Sequence, residues 1–248
     1  MVLLLYTLMI WRMVKIMNLS NETVSVLKNF STINQNLVIK GGNSISTISA
    51  QKNIIAKATV KETFPQDFAI YDLNEFLAAL SLFEKPDLEF RDDFVVITEN
   101  GSTTKSLKYW YSDPSVVTTT SKEITMPECE VTFSLDNSML SDVQKAAAVI
   151  GVPDMVLQAM TAGKAVLKVT DKKNSTANDY AVGVDVTNED GKDLPYKFWF
   201  KVENLKLLSG SYNVAVSSRT ISHFVNSNVN IYYWIALEPA SKLSLIHI

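Results

Sequence analysis

One strand-to-helix pattern occurs twice in this chain of 248 residues, and it constrains the fold more than any other feature. The two copies span residues 68–80 and 196–208. In each copy an aromatic-rich run typical of a strand leads directly into a short amphipathic run typical of a helix. A pattern that recurs after about 130 residues indicates two similar halves. The sequence therefore predicts an α+β protein built from two related domains.

Composition excludes several classes of function. The chain is 47% hydrophobic with a formal net charge of −3, so it can bury a core but lacks the basic balance of proteins that bind DNA through phosphate contacts. Its one cysteine, Cys129, excludes a disulfide framework, and His223 and His247 have no partner at a metal-ligand spacing. The sequence contains no phosphate-binding glycine loop, nucleophile elbow or metalloprotease motif. We expect a protein without a catalytic site, a metal or a cofactor.

Both ends of the chain lie outside the predicted domains. The apolar run at residues 1–11 is well short of the ~20 residues that span a bilayer, and its positive charges follow it, unlike those of a secretory signal. We interpret residues 1–16 as a mis-assigned start or a disordered extension. Residues 243–248 resemble the translation of a common sequencing adaptor, and we interpret them as a scar. No membrane association is expected.

The predicted elements divide the remaining chain into two domains at residues 17–112 and 128–242. A β-branched stretch bounded by prolines, residues 113–127, reads as an extended connector between them. Capping signals and helical spacing of apolar residues predict two helices per domain, at 20–34, 72–85, 135–150 and 202–208. Short β-branched and aromatic runs between turn residues predict antiparallel strands at 37–40, 44–49, 54–60, 68–71, 88–90, 94–98, 103–111, 130–134, 155–160, 164–170, 180–187, 194–200, 212–217, 220–225 and 231–237.

Several segments of the chain are similar to one known family. They are residues 27–34 (LKNFSTIN), 69–77 (AIYDLNEFL), 113–115 (DPS), 204–212 (NLKLLSGSY) and 236–238 (ALE). Together they resemble the sliding clamp of T4-like tailed bacteriophages, which is a DNA polymerase processivity factor. The likeness runs in order, without large gaps, over nearly the whole chain from Met17. Each segment by itself is a packing motif, and the specificity lies in the combination.

The resemblance implies a DNA-clamp fold and a function. In this fold, two similar domains each carry two helices on curved antiparallel sheets, and three chains form a pseudo-sixfold ring with the helices lining the hole. A ring encircles duplex DNA without reading its sequence, which fits the weakly acidic net charge. The implied partners are the C-terminal peptide of the DNA polymerase, an ATP-dependent clamp loader and late-transcription factors. The implied location is the cytoplasm of the infected bacterial host.

Lysines on the predicted helix faces are the candidates for facing DNA. The first helix carries a polar face with Lys28 and no acid, and the predicted face of the third helix, which contains Ser138, Ser141, Lys145 and Ala148, also has no acid. With the ring geometry that the resemblance implies, the DNA-facing set is Lys28, Lys85, Lys145, Lys201 and Lys206. Taken singly, each is better interpreted as a solvated lysine, and the agreement of the helices favours the DNA-facing role.

Two further sites follow from the resemblance. A pocket for partner peptides is expected beside the connector, formed by Tyr109, Trp110, Pro114, Val116, Val117, Leu237, Glu238 and Pro239. Aromatic and apolar anchors of this kind suit an inserted peptide, although Trp110 could instead fill the domain core. Subunits are expected to join through edge strands at 103–109 and 180–186, with Leu107 and Val184 at their centres.

Two other classes of function remain open from the sequence. One is a phage structural or adaptor protein that binds proteins without encircling DNA. The other is a divergent enzyme of nucleic-acid metabolism, which no constellation of residues supports. A stable trimer, and retention on circular but not linear DNA, distinguish a clamp from both.

Overall fold

Each of the first two helices begins directly after a residue whose side chain caps it. The computed structural model describes residues 15–100, 102–119, 124–161, 163–188 and 195–243. In this part of the chain, α1 spans Asn21–Ile33 and α2 spans Leu73–Ser81. The side chains of Ser20 and Asp72 accept hydrogen bonds from backbone N–H groups in the first turn of α1 and α2, respectively. These bonds satisfy donors that a helix start leaves without partners.

The second domain has one α-helix and one short 3-10 turn where two helices were expected. Helix α3 spans Asn137–Ile150, as predicted to within two residues, and Asp136 caps it. The predicted helix at 202–208 is wrong, because only a 3-10 turn at Val202–Asn204 forms there. The backbone carbonyl of Leu205 accepts from the Gln144 side chain and that of Lys206 from Asn29, so neighbouring helices satisfy them. At Leu205, which follows the turn, φ is −79° and ψ is 52°, so the backbone leaves the helical conformation and the turn does not extend.

Seventeen strands form in the described residues, and fifteen of them correspond to predicted runs. They are β1 Lys15–Asn18, β2 Leu37–Ile39, β3 Gly42–Ile48, β4 Ile54–Phe64, β5 Phe68–Ile70, β6 Pro86–Phe90, β7 Phe94–Glu99, β8 Ser102–Trp110, β9 Val131–Leu135, β10 Asp154–Ala159, β11 Lys164–Thr170, β12 Tyr180–Asn188, β13 Tyr196–Lys201, β14 Tyr212–Ser217, β15 Ile221–Asn226, β16 Ile231–Ala236 and β17 Lys242–Leu243. Most of the longer strands, such as β4, β13 and β16, alternate between buried and more exposed residues, which explains why period-two runs located them.

The strands form three antiparallel sheets. One contains four strands in the order β1-β6-β7-β8, and a small one pairs β2 with β5. The largest has the order β17-β13-β10-β11-β12-β9-β14-β15-β16-β4-β3. It crosses the domain boundary where β16 pairs with β4, from Ile231 opposite Ala58 to Ile235 opposite Ile54. One continuous sheet therefore joins the two domains.

The same pairings occur in both domains. In domain 1, β1 pairs with β6, β6 with β7, β7 with β8, β2 with β5 and β3 with β4. In domain 2, β9 pairs with β14, β14 with β15, β15 with β16, β10 with β13 and β11 with β12. The element β8 therefore corresponds to β16, and β4 corresponds to β12. The structure contains the internal repeat that the duplicated pattern predicts.

The fold extends slightly beyond the predicted domain limits. Strand β1 begins at Lys15, which lies opposite Phe90, so the four-stranded sheet includes two residues before the predicted limit at Met17. At the other end, Leu243 lies opposite Tyr196, which places the first residue of the expected scar in a strand. Residues 1–14 and 244–248 lie outside the described part of the chain. Within the described part, none of the helices has the length and apolar character needed to cross a membrane.

Candidate nucleic-acid interface and assembly surfaces

Helix α1 presents the polar face that its sequence predicts. Its buried side consists of Thr23, Val26, Leu27, Asn29, Phe30 and Ile33. Lys28 and Thr32 lie on the exposed side, one helical turn apart. The one acid of the helix, Glu22, lies at the flank and forms an ion pair with Lys61 at 2.8 Å. The centre of the exposed face therefore carries a base and no acid.

Lys206 of domain 2 joins the same face of α1. Its Nζ donates to the backbone oxygen of Thr32 at 2.6 Å, at a carbonyl in the last turn of the helix. A cation is favourable there because the last carbonyls carry partial negative charge. In the opposite direction, the side chain of Asn29 donates to the backbone oxygen of Lys206 at 3.0 Å. The bases of Lys28 and Lys206 thus converge on one helix face from two domains.

Lys145 and Lys85 are exposed, in surroundings that differ from those of Lys28. Helix α3 packs through Leu140, Val143 and Ala147, so its exposed side includes Asp142 as well as Lys145. The expectation that this helix face has no acid is therefore wrong. Lys85 follows α2, and its backbone N–H donates to Glu99 Oε1 at 2.8 Å while its side chain is exposed.

Lys201 lies in a network of ion pairs, which corrects its predicted place on a DNA-facing helix. Its Nζ is 2.6 Å from Oδ1 of Asp154, a carboxylate that is only 1% exposed. The hydrogen bond to Asp154 raises the pKa of Lys201 above its ordinary value, so the lysine stays charged. Lys172 completes the network, 2.7 Å from Glu238 and 4.0 Å from Asp154. These charges balance one another, and no spacing in the sequence signals that they meet.

The residues of the predicted peptide pocket separate into three places. Trp110 is 61% exposed, so it does not fill the core, and its ring lies 5.0 Å from that of Phe94. The ammonium of Lys108 lies over both rings, at 4.4 Å from the centroid of Phe94 and 5.2 Å from that of Trp110. Tyr109 points to the opposite face, where its hydroxyl donates to the backbone oxygen of Asp72 at 3.2 Å. Burial raises the pKa of Tyr109 to about 12.

The connector and the chain end form the other two places. Val117 is buried with Val38 and Ala69 in a small cluster of its own, while Pro114 and Val116 are exposed beside it. Leu237 is buried in the main core and Glu238 pairs with Lys172, both in domain 2, while Pro239 is exposed. The sequence alone did not separate these groups, because which side chains meet depends on long-range pairing.

Strand β8 has an open edge, as expected for an assembly surface. It is the last strand of its sheet and pairs with β7, with Leu107 opposite Ile97. Just beyond β8, Tyr111 lies opposite Asp93 in the same register, and its N–H donates to the backbone oxygen of Asp93 at 3.0 Å. These two residues are therefore a hydrogen-bonded pair. Because hydrogen-bonded and non-bonded pairs alternate in antiparallel strands, the backbone of Leu107 bonds to β7. The backbone groups of Ser106, Lys108 and Trp110 therefore point away from β7.

Strand β12 is open along part of its length. Residues 180–185 pair with β11 on one side. On the other side of β12, β9 pairs only with residues 186–188, so the edge of residues 180–185 is open in the described chain. The N–H of Val186 donates to the backbone oxygen of Gly163 at 3.0 Å, which places Val184 among the residues bonded to β11. The backbone groups of Ala181, Gly183 and Asp185 point to the open side. Leu107 and Val184, the residues predicted at the subunit junction, thus lie on strands with open edges, but their own backbone groups bond within the chain.

Comparison with solved structures identifies the fold. Proliferating cellular nuclear antigen from Entamoeba histolytica superposes with a TM-score of 0.64 at 12% identity, covering 88% of this chain and 95% of that one. A chain of the PCNA2–PCNA3 complex from Sulfolobus tokodaii gives 0.66 at 11% identity, covering 90% and 99%. The fold is therefore that of the DNA clamps, and the predicted α+β clamp class is confirmed.

Sequence comparison gives the family within that class. The family model of DNA polymerase processivity factors matches residues 20–119. The sliding clamp of Vibrio phage KVP40 is 34% identical over 226 residues, 90% of this chain and 99% of that protein. The sliding clamp of Enterobacteria phage T4 is 28% identical over 233 residues, 91% and 98% of the two chains. The chain belongs to the sliding clamps of T4-like phages, the processivity factors of DNA polymerase.

Proposed function

We propose that three copies of this chain close into a ring around duplex DNA and hold the phage polymerase there. The observation that carries the proposal is the joint between the two domains. Inside the chain, β16 of domain 2 pairs with β4 of domain 1. Their counterparts in the repeat are β8 and β12, whose edges are open in the single chain. Pairing β8 of one copy with β12 of the next would repeat the inner joint between subunits.

Hydrogen bonds support the correspondence between β8 and β16. The bond from Tyr111 N to Asp93 O, at 3.0 Å, has its counterpart in the bond from Leu237 N to Thr220 O, at 2.9 Å. In β16 the residue just before Leu237, Ala236, donates across the domain boundary to Asn53 at 2.9 Å. The counterpart of Ala236 in β8 is Trp110, whose backbone groups point to the open edge. Donors and acceptors on β8 are therefore oriented for the same antiparallel joint.

DNA would pass the exposed face of α1. Lys28 and Lys206 supply positive charge there without an opposing acid at its centre, and Lys85 adds an exposed base after α2. A few bases suffice, because a closed ring retains DNA by its topology and needs few phosphate contacts. The net charge of −3 is compatible with this mode of binding and unfavourable for groove binding by phosphate neutralisation.

Partner peptides are proposed to bind beside the connector. Trp110 and Phe94 form exposed or half-exposed apolar surface near the end of β8, and exposed aromatic residues are frequent anchors. The C-terminal peptide of the polymerase is the first candidate, and late-transcription factors are further candidates. An ATP-dependent loader would open the ring, and the cytoplasm of the infected bacterium is the proposed location.

Trp110→Ala should weaken peptide binding by more than ~1 kcal/mol in titration calorimetry while the ring stays assembled. Unchanged affinity would exclude Trp110 as an anchor.

Retention on DNA of different topology tests the ring. The wild-type chain is loaded onto nicked circular DNA, the DNA is linearised with a restriction enzyme in half of the sample, and bound protein is measured by gel filtration. We expect protein to stay on the circle and to leave the linear form by sliding off its ends. Equal retention on both forms, or no assembly beyond a monomer in sedimentation, would contradict the proposal and favour an adaptor protein.

A further inference from the structure

Ion pairs engage most of the lysines on one face of domain 2. The face belongs to β10, β11 and β13 and is turned away from the main core, in which Leu157, Leu167 and Phe198 of the same strands are buried. The pairs on or beside it join Lys201 with Asp154, Lys168 with Asp179, Lys164 with Asp185 and Lys172 with Glu238. Lys197 and Lys242 belong to none of the ion pairs between described residues. Two positive charges of this face therefore have no acid partner in the described chain.

These two lysines lie directly opposite each other. The short strand β17 pairs with β13 in antiparallel register, with Lys242 opposite Lys197, and both side chains are exposed. Side chains of opposed residues lie on the same face of a sheet, where like charges destabilise the pairing. The fold therefore holds two ammonium groups side by side although their repulsion opposes its stability.

The two lysines line a cavity that also has an apolar wall. It has a volume of about 310 Å³, at the low end of the range for ligand sites, and its lining includes Gln158, Ala159, Trp199 and Ala240. The partly exposed Trp199 follows Lys197 by two residues in β13, so both side chains lie on the same side of the strand. Gln158 is the residue of β10 opposite Lys197, and its amide can donate to an acceptor in the cavity.

The chain segment on one side of the cavity is held in place before any ligand binds. The N–H of Glu238 donates to the backbone oxygen of Trp199 at 2.8 Å, and the N–H of Trp199 donates to Oγ of Ser241 at 2.8 Å. The carboxylate of Glu238 lies 2.7 Å from the ammonium of Lys172, which engages this acid away from Lys242. A cavity with fixed walls binds a ligand without the cost of ordering them.

We propose that this cavity binds a short acidic segment of a partner protein. Carboxylates of the segment would contact the ammonium groups of Lys197 and Lys242, and a neighbouring apolar side chain would pack on Trp199. Charge complementarity supports the assignment, because the ligand would supply the negative charge that the chain itself does not place there.

The location of the cavity favours a peptide over nucleic acid, the other common polyanion. Strand β13 turns Phe198 into the same core as Leu140 of α3, so Trp199 points away from the helices. Duplex DNA is proposed to pass the exposed face of helix α1, which lies on the helix side of the sheets. The cavity is also distinct from the surface at Trp110, which belongs to domain 1.

Fluorescence anisotropy with two synthetic peptides tests the proposal. The probe is a labelled peptide with an amidated C-terminus that contains two adjacent aspartates followed by phenylalanine, with glycine and serine elsewhere. The matched peptide has asparagines in place of both aspartates. We expect the aspartate peptide to bind the wild-type chain saturably and about tenfold more tightly than the asparagine peptide. Its affinity should fall by about the same factor in the double variant Lys197→Gln/Lys242→Gln.

A second double variant separates a specific site from general attraction by positive charge. Lys52→Gln/Lys173→Gln removes two exposed lysines elsewhere and should bind the aspartate peptide like the wild type. Because Lys197 and Lys242 repel each other, Lys197→Gln/Lys242→Gln should unfold at a temperature no lower than that of the wild type, which shows that the fold is kept.

Three results would overturn the proposal. They are wild-type affinity in Lys197→Gln/Lys242→Gln, equal binding of the two peptides, and a labelled single-stranded oligonucleotide that binds more tightly than the aspartate peptide and depends on the same two lysines. The site lies within one chain, so its test is independent of the ring. Peptide binding by a chain that remains monomeric would support this site while contradicting the proposed ring.

Discussion

At the scale of single residues, one carboxylate positions the start of α1. Glu62 on β4 accepts a hydrogen bond from the backbone N–H of Ser20 at 2.5 Å and another from the hydroxyl of Thr23. Partial burial opposes the charged form, but the bonds from Thr23 and Ser20 outweigh it and lower the pKa of Glu62. The helix face that carries Lys28 is thus attached to the sheet by a charged hydrogen-bond acceptor.

Glu62→Gln is expected to destabilise the fold by about 1 kcal/mol, because a neutral acceptor replaces a charged one at a helix start. Since the folded pKa of Glu62 is lowered, the charge-dependent part of this contribution is present above the ordinary glutamate pKa and disappears as the pH falls through the folded value. Urea unfolding of the wild type and the variant at neutral and acidic pH checks both statements. Glu84→Gln, at an exposed position, is the matched control. An equal difference between wild type and Glu62→Gln at every pH would contradict the role of the charge.

At the scale of elements, sequence patterns located most strands and helices because those elements are periodic and capped by local signals. The strand from Ile54 alternates buried and partly exposed residues, and Asp136 and Gly151 mark both ends of α3. The expected helix at 202–208 did not form because the backbone leaves the helical conformation at Leu205, where the chain instead packs against α1 and α3 through Asn29 and Gln144. No local pattern contains such information.

The candidate sites were harder to predict than the elements that carry them. The predicted junction strands β8 and β12 each have an open edge in the single chain. Their inward-facing residues Leu107 and Val184 were chosen as centres because the direction of a backbone N–H depends on register, which one strand alone does not determine. The ion pair of Lys201 with Asp154 likewise joins residues 47 positions apart.

Proline substitutions on the open edges are expected to separate assembly from folding. Lys108→Pro or Gly183→Pro removes an N–H that points away from the chain's own sheet, so assembly should fail while the monomer remains folded. Leu107→Pro or Val184→Pro removes an N–H bonded within the chain and leaves its acceptor without a partner, so it should lower the free energy of unfolding by about 1–3 kcal/mol. Sedimentation and urea unfolding of all four variants distinguish the two effects. The proposed strands would be wrong if Lys108→Pro and Gly183→Pro assembled like the wild type.

At the scale of the whole molecule, charge on the inner face should affect movement on DNA more than assembly. Lys28→Glu is expected to reduce processive synthesis several-fold, because an acid would then face the phosphates, while the sedimentation of the ring stays unchanged. Lys173→Glu, on the exposed loop between β11 and β12, is the control with the same change in charge. Primer extension with excess template trap measures the product length. Equal product lengths for both variants would place DNA away from the α1 face.

The sheet that crosses from β16 to β4 also determines whether copies of the chain meet as a circle. Five residue pairs hold this inner joint, so the twist of the sheet sets the angle between the two domains. Units that join head to tail form a closed ring only when the rotation per unit divides a full turn, and otherwise they continue as a helical filament. Because each chain repeats the same angle, a small error at the inner joint would accumulate around the assembly. Substitutions at this joint, far from any partner or DNA, could therefore convert a ring into a fibre.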